Sequence, residues 1–147
     1  MSHLSDFEEI RRLGRGQHGE VFLVRRHADQ GCYCLKKIFL SEVTEEEQAA
    51  AINEVTLLSH LESPYVIRYY DSFLENDTLH IIMEYAPYGT LSDLIDDQKS
   101  KSQNFSEVEI WRFFLQLCLG LQHIHSHSIL HRDIKALNIF IGTNQIL

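Results

Sequence analysis

Cysteine is scarce in this chain and awkwardly spaced. Cys32, Cys34 and Cys118 make an odd number, and no two stand in C-x-x-C order. That excludes a disulfide framework or a zinc ribbon and favours a reducing compartment. Basic residues are also short: 13 Lys and Arg face 21 Asp and Glu, for a formal net charge of -8. No basic stripe runs along the chain, so neither nucleic acid nor an anionic membrane is an expected partner. Long apolar runs are missing as well. No uninterrupted stretch would span a bilayer, and the acidic segment Met1 to Glu9 has no apolar signal core. The expectation is a soluble, intracellular protein. What remains is ordinary for a globular domain: 147 residues, 44% hydrophobic and 23% charged, enough to bury a core.

Three short strand-like segments open the chain. Phe7 to Gly14 leads into Gly14-Arg15-Gly16-Gln17-His18-Gly19-Glu20-Val21. Val21 to Val24 is the second, Asp29-Gln30-Gly31 a turn, and Cys32 to Leu40 the third. Close spacing with glycine turns predicts an antiparallel sheet. G-x-G-x-x-G alone is a weak signal, shared with dinucleotide-binding folds, where it must open a helix. Here strand residues follow it, so it reads as a hairpin turn. Its amides can approach phosphate oxygens because no Cβ intervenes; taken alone, a plain turn explains it as well. On the third strand, alternation puts Cys34, Lys36 and Ile38 on one face and Leu35 and Lys37 on the other.

Thr44 and Glu47 form a capping box, and Glu45 to Glu47 suit the positive end of a helix. Ala50, Ala51, Val55, Leu58 and Leu61 mark the expected inner stripe. Glu54 shares it, and a carboxylate facing a core needs a partner. Lys36 is the candidate, the alternative being a Glu54 turned to water. Ser63-Pro64 then breaks the chain. Val66 to Phe73 and Thr78 to Tyr85 read as two more strands about the turn Glu75-Asn76-Asp77, the second apolar enough, from Leu79 to Met83, for a central position. Glu84 to Gly89 interrupts regular structure, and Thr90 or Ser92 can begin a short helix. Asp97 to Asn104 reads as a polar loop. A second capping box, Ser106 with Glu109, starts a long amphipathic helix whose Ile110, Phe113, Phe114, Leu117, Leu121 and Ile124 are expected in the core. It should end near His127. His123 and His127 share a face, but no cysteine or carboxylate stands nearby at ligand spacing, so no zinc is expected.

His131-Arg132-Asp133-Ile134-Lys135-Ala136-Leu137-Asn138 is the most specific stretch. Asp133, Lys135 and Asn138 stand at offsets 0, +2 and +5 in a loop between a helix and a short strand. A carboxylate can take a hydroxyl proton, an ammonium can steady a migrating phosphoryl group, and an amide oxygen can hold a metal ion. The octapeptide resembles the catalytic loop of eukaryotic protein kinases. The glycine loop, Lys36, Glu54, the interruption after Met83 and the octapeptide follow in that family's order.

The resemblance implies an α+β, protein-kinase-like fold: a five-stranded antiparallel N-lobe sheet with one C helix over residues 1–85. The hinge and the first helices and catalytic loop of a helical C-lobe would follow over 86–147. It implies ATP and Mg²⁺ as cofactors. Gly14, Gly16, Gly19, Val21, Cys34, Lys36, Glu54, Met83, Glu84, Ala86 and Phe140 would surround the nucleotide, with Lys36 on its phosphates and Glu54 holding Lys36. Asp133, Lys135 and Asn138 would be catalytic, and Asn138 would bind Mg²⁺. Cys34 stands where the family usually has alanine, which would narrow the adenine wall, and His18 occupies the loop tip. His131 would pack in support of the loop. Lys135 is similar to serine/threonine rather than tyrosine kinases, so a protein Ser or Thr hydroxyl is the implied substrate. The chain resembles NIMA-related (NEK) kinases most, which implies a cytoplasmic protein with cytoskeletal or nuclear association within the family's range. The metal-binding D-F-G would be expected just past Leu147, so the expectation is a fragment inactive alone. The alternative is a nucleotide-binding, pseudokinase-like interaction module without catalysis.

Overall fold

The computed structural model describes residues 2–16 and 19–143, the side chain of Glu54 excepted. The expectations for His18 and for a Glu54–Lys36 pair therefore lie outside the described residues. The described chain forms two compact units: residues 2–60 with Arg68–Tyr85, and Leu61–Ile67 with 86–143.

The first unit is built on a five-stranded antiparallel sheet, in the order β1-β2-β3-β5-β4. Its strands are β1 (Phe7–Arg15), β2 (Gly19–Arg26), β3 (Cys32–Phe39), β4 (Tyr69–Glu75) and β5 (Thr78–Glu84). The turns explain the pairing. Asn76 and Asp77 both adopt positive φ, 51° and 54°, as a two-residue hairpin turn matched to strand twist requires. In the β2–β3 turn, Asp29 accepts from the Gly31 amide at 2.9 Å and the Tyr33 hydroxyl at 2.7 Å, and it pairs with Arg26. β4 begins at Tyr69, not at Val66 as its apolar residues suggest. The Val66 amide is instead drawn back to the Ser63 carbonyl, 3.3 Å away, and the turn at Pro64 runs on past it.

Phe7, Val24, Tyr33, Leu35 and Ile82 form the core of this unit, with Leu4, Phe22 and Phe73 packed against them. They lie on the face opposite Lys36, as the β3 register demands. Residues 2–6 strap that face. Ser2 donates through its amide and hydroxyl to Asp71 Oδ2 at 3.2 and 2.6 Å, and the Leu4 amide donates to Glu75 Oε2 at 3.1 Å. His80 is buried and stacked on Phe73 at 4.9 Å, its Nδ1 3.0 Å from the Thr78 carbonyl. Nothing in the sequence pattern singled it out.

Helix α1 (Glu45–Leu58) starts at the expected capping box: the Glu47 amide donates to Thr44 Oγ1 at 3.3 Å, and the Thr44 amide to Glu47 Oε2 at 2.8 Å. Gln48, Ala51, Val55 and Leu58 are its half-buried side. Ala50, expected on that stripe, is exposed, because helical phase groups it with Glu46, Asn53 and Leu57.

The second unit carries α2 (Leu91–Ser100) and α3 (Glu107–Ser126). The loop expected from Asp97 begins only after Ser100, because Lys101 bonds back to Asp97 at 2.7 Å and the Ser100 hydroxyl to the Asp97 carbonyl. On α3 only Gly120 and Ile124 are buried. Ile110 and Phe114, expected in the core, are 54% and 56% exposed. The helix is approached along a different line: a Cβ at Gly120 would stand 2.6 Å from the Tyr65 carbonyl oxygen, and Phe113 meets the edge of Phe105 at 5.7 Å.

Candidate active site

Two rows of side chains cross the Lys36 face of the sheet, fixed by strand register. Val21, Lys36 and Ile81 are cross-strand neighbours in one row; Leu23, Cys34 and Met83 form the next. Lys36 is thus half-buried between two aliphatic residues, while Lys37 faces the other way and pairs with Glu9. Burial pushes the Cys34 thiol up to about 11, against the opposing pull of Lys36, so it stays protonated at neutral pH. Glu84 ends β5, and its amide is committed to the Arg68 carbonyl at 2.8 Å.

The three glycines of the β1–β2 turn differ. A Cβ at Gly19 would stand 1.9 Å from the Lys37 carbonyl oxygen, so the fold itself requires glycine there. Among the described residues, a Cβ at Gly14 would meet nothing within 4 Å, and one at Gly16 only the Gly19 carbonyl oxygen at 3.8 Å. Neither has the positive φ that would call for glycine. Neither is required to be glycine by the described residues around it.

In the second unit the loop after α3 is drawn together by its own polar side chains. Lys135 Nζ lies 3.0 Å from Asp133 Oδ2. Asn138 Nδ2 donates to Asp133 Oδ2 at 2.8 Å and to the Asp133 carbonyl at 3.0 Å. The hydrogen bond from Lys135 is the main cause holding the Asp133 carboxyl below its usual range, with Asn138 adding to it, so the group is an anion at neutral pH. With its nitrogen committed to Asp133, Asn138 has its amide oxygen to offer a hard cation. His131 is exposed, not packed. It supports the loop differently, its Nδ1 accepting from the Asp133 amide at 3.3 Å. Arg132 adopts φ +66°, a conformation that costs a side-chain-bearing residue about 1 kcal/mol or more and gathers at functional loops.

Beyond Asn138 the chain is anchored. Ile139 and Ile141 exchange backbone bonds with Leu91 and Gly89 at 2.7 and 2.8 Å, and Phe140 bridges Thr90. Gly89 takes φ +74°, and a Cβ there would meet Asp93 Oδ2 at 2.8 Å. Ala86, half-buried, opens this unit just after β5, and Phe140 is 36% exposed. The structure therefore joins Asp133, Lys135 and Asn138 in one cluster. It sets Val21, Cys34, Lys36 and Met83 in another.

The sequence model of the protein kinase domain matches residues 7–147. The chain belongs to the protein kinase family. It is 44% identical to the probable serine/threonine-protein kinase nek3 of Dictyostelium discoideum, over 95% of this chain and 12% of that protein. It is 41% identical to the serine/threonine-protein kinase Nek8 of Danio rerio, over 98% of this chain and 20% of that protein. With the serine/threonine-protein kinase Nek1 of Mus musculus the identity is 36%, over 97% and 12%. The kinase chain thus spans a fifth or less of the length of these relatives. Among its described residues no helix is long and apolar enough to cross a membrane. Protein kinases use ATP and Mg²⁺, and the donor set of the loop fits the metal: an amide oxygen on Asn138 beside an ionised Asp133.

Three features of this kinase site escaped sequence reading: the Asn138–Asp133 bonds, the His131 bond and the Arg132 backbone. Each arises from how one short loop folds on itself, and neither period nor propensity reports that.

Proposed function

We propose that this chain carries the ATP-binding face and the catalytic loop of a serine/threonine protein kinase, acting on a Ser or Thr hydroxyl of a protein substrate in the cytoplasm. The Asp133–Lys135–Asn138 cluster is the observation that carries the reading. In the reaction the substrate oxygen bonds to the γ-phosphorus, the bond to the β-phosphate oxygen breaks, and ADP leaves. Asp133, ionised and exposed, orients the hydroxyl and accepts its proton. Lys135, already beside that carboxylate, balances charge on the migrating group. Asn138 and Asp133 hold the loop in one geometry, and the Asn138 oxygen would ligate Mg²⁺, whose charge offsets that of the phosphates. Lys36 and the β1–β2 glycines would hold the phosphates. Such a site works by positioning and electrostatics rather than covalent chemistry.

By itself, the 147-residue chain binds nucleotide without turnover. Its loop is weakly buttressed: Leu130, Ile134 and Leu137 are 66%, 46% and 58% exposed. Titration calorimetry with ATP and Mg²⁺ tests the first half. Saturable binding that Lys36→Met removes is expected, and heat-silent titrations would overturn the nucleotide reading. Radiolabel transfer from γ-labelled ATP to a Ser/Thr-rich protein tests the second. Transfer by this chain that Asp133→Asn abolishes would establish the kinase and reject the binding-only account of the isolated chain.

A further inference from the structure

The last turn of α3 carries His123, and His127 caps the helix; residues four apart in this way share a helix face. The two rings lie with their centres 4.6 Å apart, tilted at 53°. Each has one nitrogen left over. His127 Nδ1 donates to the His123 carbonyl oxygen at 2.9 Å, which fixes the ring proton there and leaves a lone pair on Nε2 of the neutral ring. His123 Nε2 is shielded from solvent yet has no hydrogen-bond partner among the described residues. A buried polar atom in that state calls for a water or an ion. A ring tied through one nitrogen to a backbone carbonyl, with the other left open, is also how metal-ligating histidines are held.

We propose that His123 and His127 together bind Zn²⁺ through their Nε2 atoms, in an open site with water at the remaining positions. Tetrahedral Zn–N bonds of about 2.0–2.1 Å put two ligating nitrogens about 3.3 Å apart, within reach of rings this close. No third histidine, cysteine or carboxylate among the described residues completes the pair. The ion is therefore exchangeable, not the centre of a closed structural site. His127 is exposed and His123 half-buried, so the ion enters past the first and is seated by the second. The surroundings favour a cation. Carbonyl groups without helical partners gather at the C-terminal end of a helix, the negative end of its dipole, and the chain carries a formal charge of -8. Residue spacing points away from zinc because it weighs cysteine and carboxylate partners; an orphaned nitrogen and a fixed tautomer leave no trace in it. The bound ion ties off the end of α3 four residues before His131, where the Asp133 loop begins.

The test titrates Zn²⁺ into the untagged 147-residue chain, followed by calorimetry and by nitrogen-15 NMR of the imidazole rings. Cys32 and Cys118 are exposed, so Cys32→Ser and Cys118→Ser are built in to stop their thiols competing. Zn²⁺ should move the Nε2 signals of His123 and His127 together, at lower metal concentration than those of the other histidines. His127→Ala, which removes an exposed side chain, should weaken this site about tenfold or more, and His123→Gln should do the same. His125→Ala lies on another side of the same turn and should leave affinity within about twofold. Amide hydrogen exchange over residues 123–130 should slow on adding Zn²⁺, and should not slow in His127→Ala. Equal shifts at every exposed histidine, or equal affinity in His125→Ala and His127→Ala, would mean an adventitious ion only and overturn the proposal. So would a titration in which His123 Nε2 stays still.

Discussion

The sheet unit and the catalytic loop solve the same problem, holding a few polar atoms in place, by opposite means. In the sheet, Lys36 is located by register: Leu35, next to it in sequence, is fully buried, and Val21 and Ile81 flank it across the ladder. In the loop, Asp133 and Lys135 remain 60% and 51% exposed, and their arrangement depends on hydrogen bonds among themselves. Apolar packing is hard to perturb from outside. A self-bonded polar loop is not, because water and protons compete for each of its bonds. The sheet should therefore fail by losing its fold, and the loop by losing its chemistry with the fold intact.

Gly19→Ala should be the most damaging single change, because its Cβ would collide with the Lys37 carbonyl oxygen where the β2–β3 ladder begins. A loss of about 3 kcal/mol or more in denaturant unfolding is expected. Gly14→Ala, whose Cβ meets nothing within 4 Å among the described residues, should unfold like wild type yet bind ATP more weakly. Equal effects at both positions would undo the distinction between a glycine the fold needs and one a ligand needs. Leu35→Ala comes next, at about 2–5 kcal/mol for a fully buried leucine. Leu137→Ala, more than half exposed, should stay within about 0.5 kcal/mol. A comparable loss at Leu137 would show that the loop is held by packing after all.

The polar side of the comparison is sharpened by pH. The Asp133 carboxyl is held down chiefly by Lys135, so its folded value lies below its unfolded one. Its contribution to stability is present above the ordinary carboxylate range and is lost as pH falls through the depressed folded value. Carbon-detected NMR titration should find this carboxyl titrating below the ordinary aspartate range, and Lys135→Ala should bring it back up. No upward movement would mean that the ion pair does not organise the loop. A smaller loss than at Leu35 is expected at the caps: Ser106→Ala should cost about 1 kcal/mol by removing one N-terminal acceptor from α3, measured as a shift of the unfolding midpoint with ATP binding unchanged.

Much of this was legible in the sequence because it depends on short-range rules. Period-two alternation correctly put Cys34, Lys36 and Ile38 on one face, and both predicted capping boxes form as written. Less was legible where a distant neighbour decides the outcome. Ile110 and Phe114 carry a core-like spacing, yet the backbone around Tyr65 meets α3 at Gly120 and turns that spacing away from the contact. The strap over the sheet leaves no apolar signature beyond Leu4, since its bonds run from Ser2 and the Leu4 amide to carboxylates far along the chain. The loop chemistry was readable as residue types at fixed offsets, but which atoms bond to which was not.

The strap has a practical corollary. Two acids on β4, Asp71 and Glu75, accept the bonds from Ser2 and Leu4, and the hydroxyl and amide of Ser2, joined by the Ser72 amide, overcome burial to keep Asp71 ionised. Acidification should thus loosen the outermost segment ahead of the five-stranded body it covers. An acid-active protease offered to the protein below the ordinary aspartate range would trim a few amino-terminal residues and stop, long before the sheet came apart.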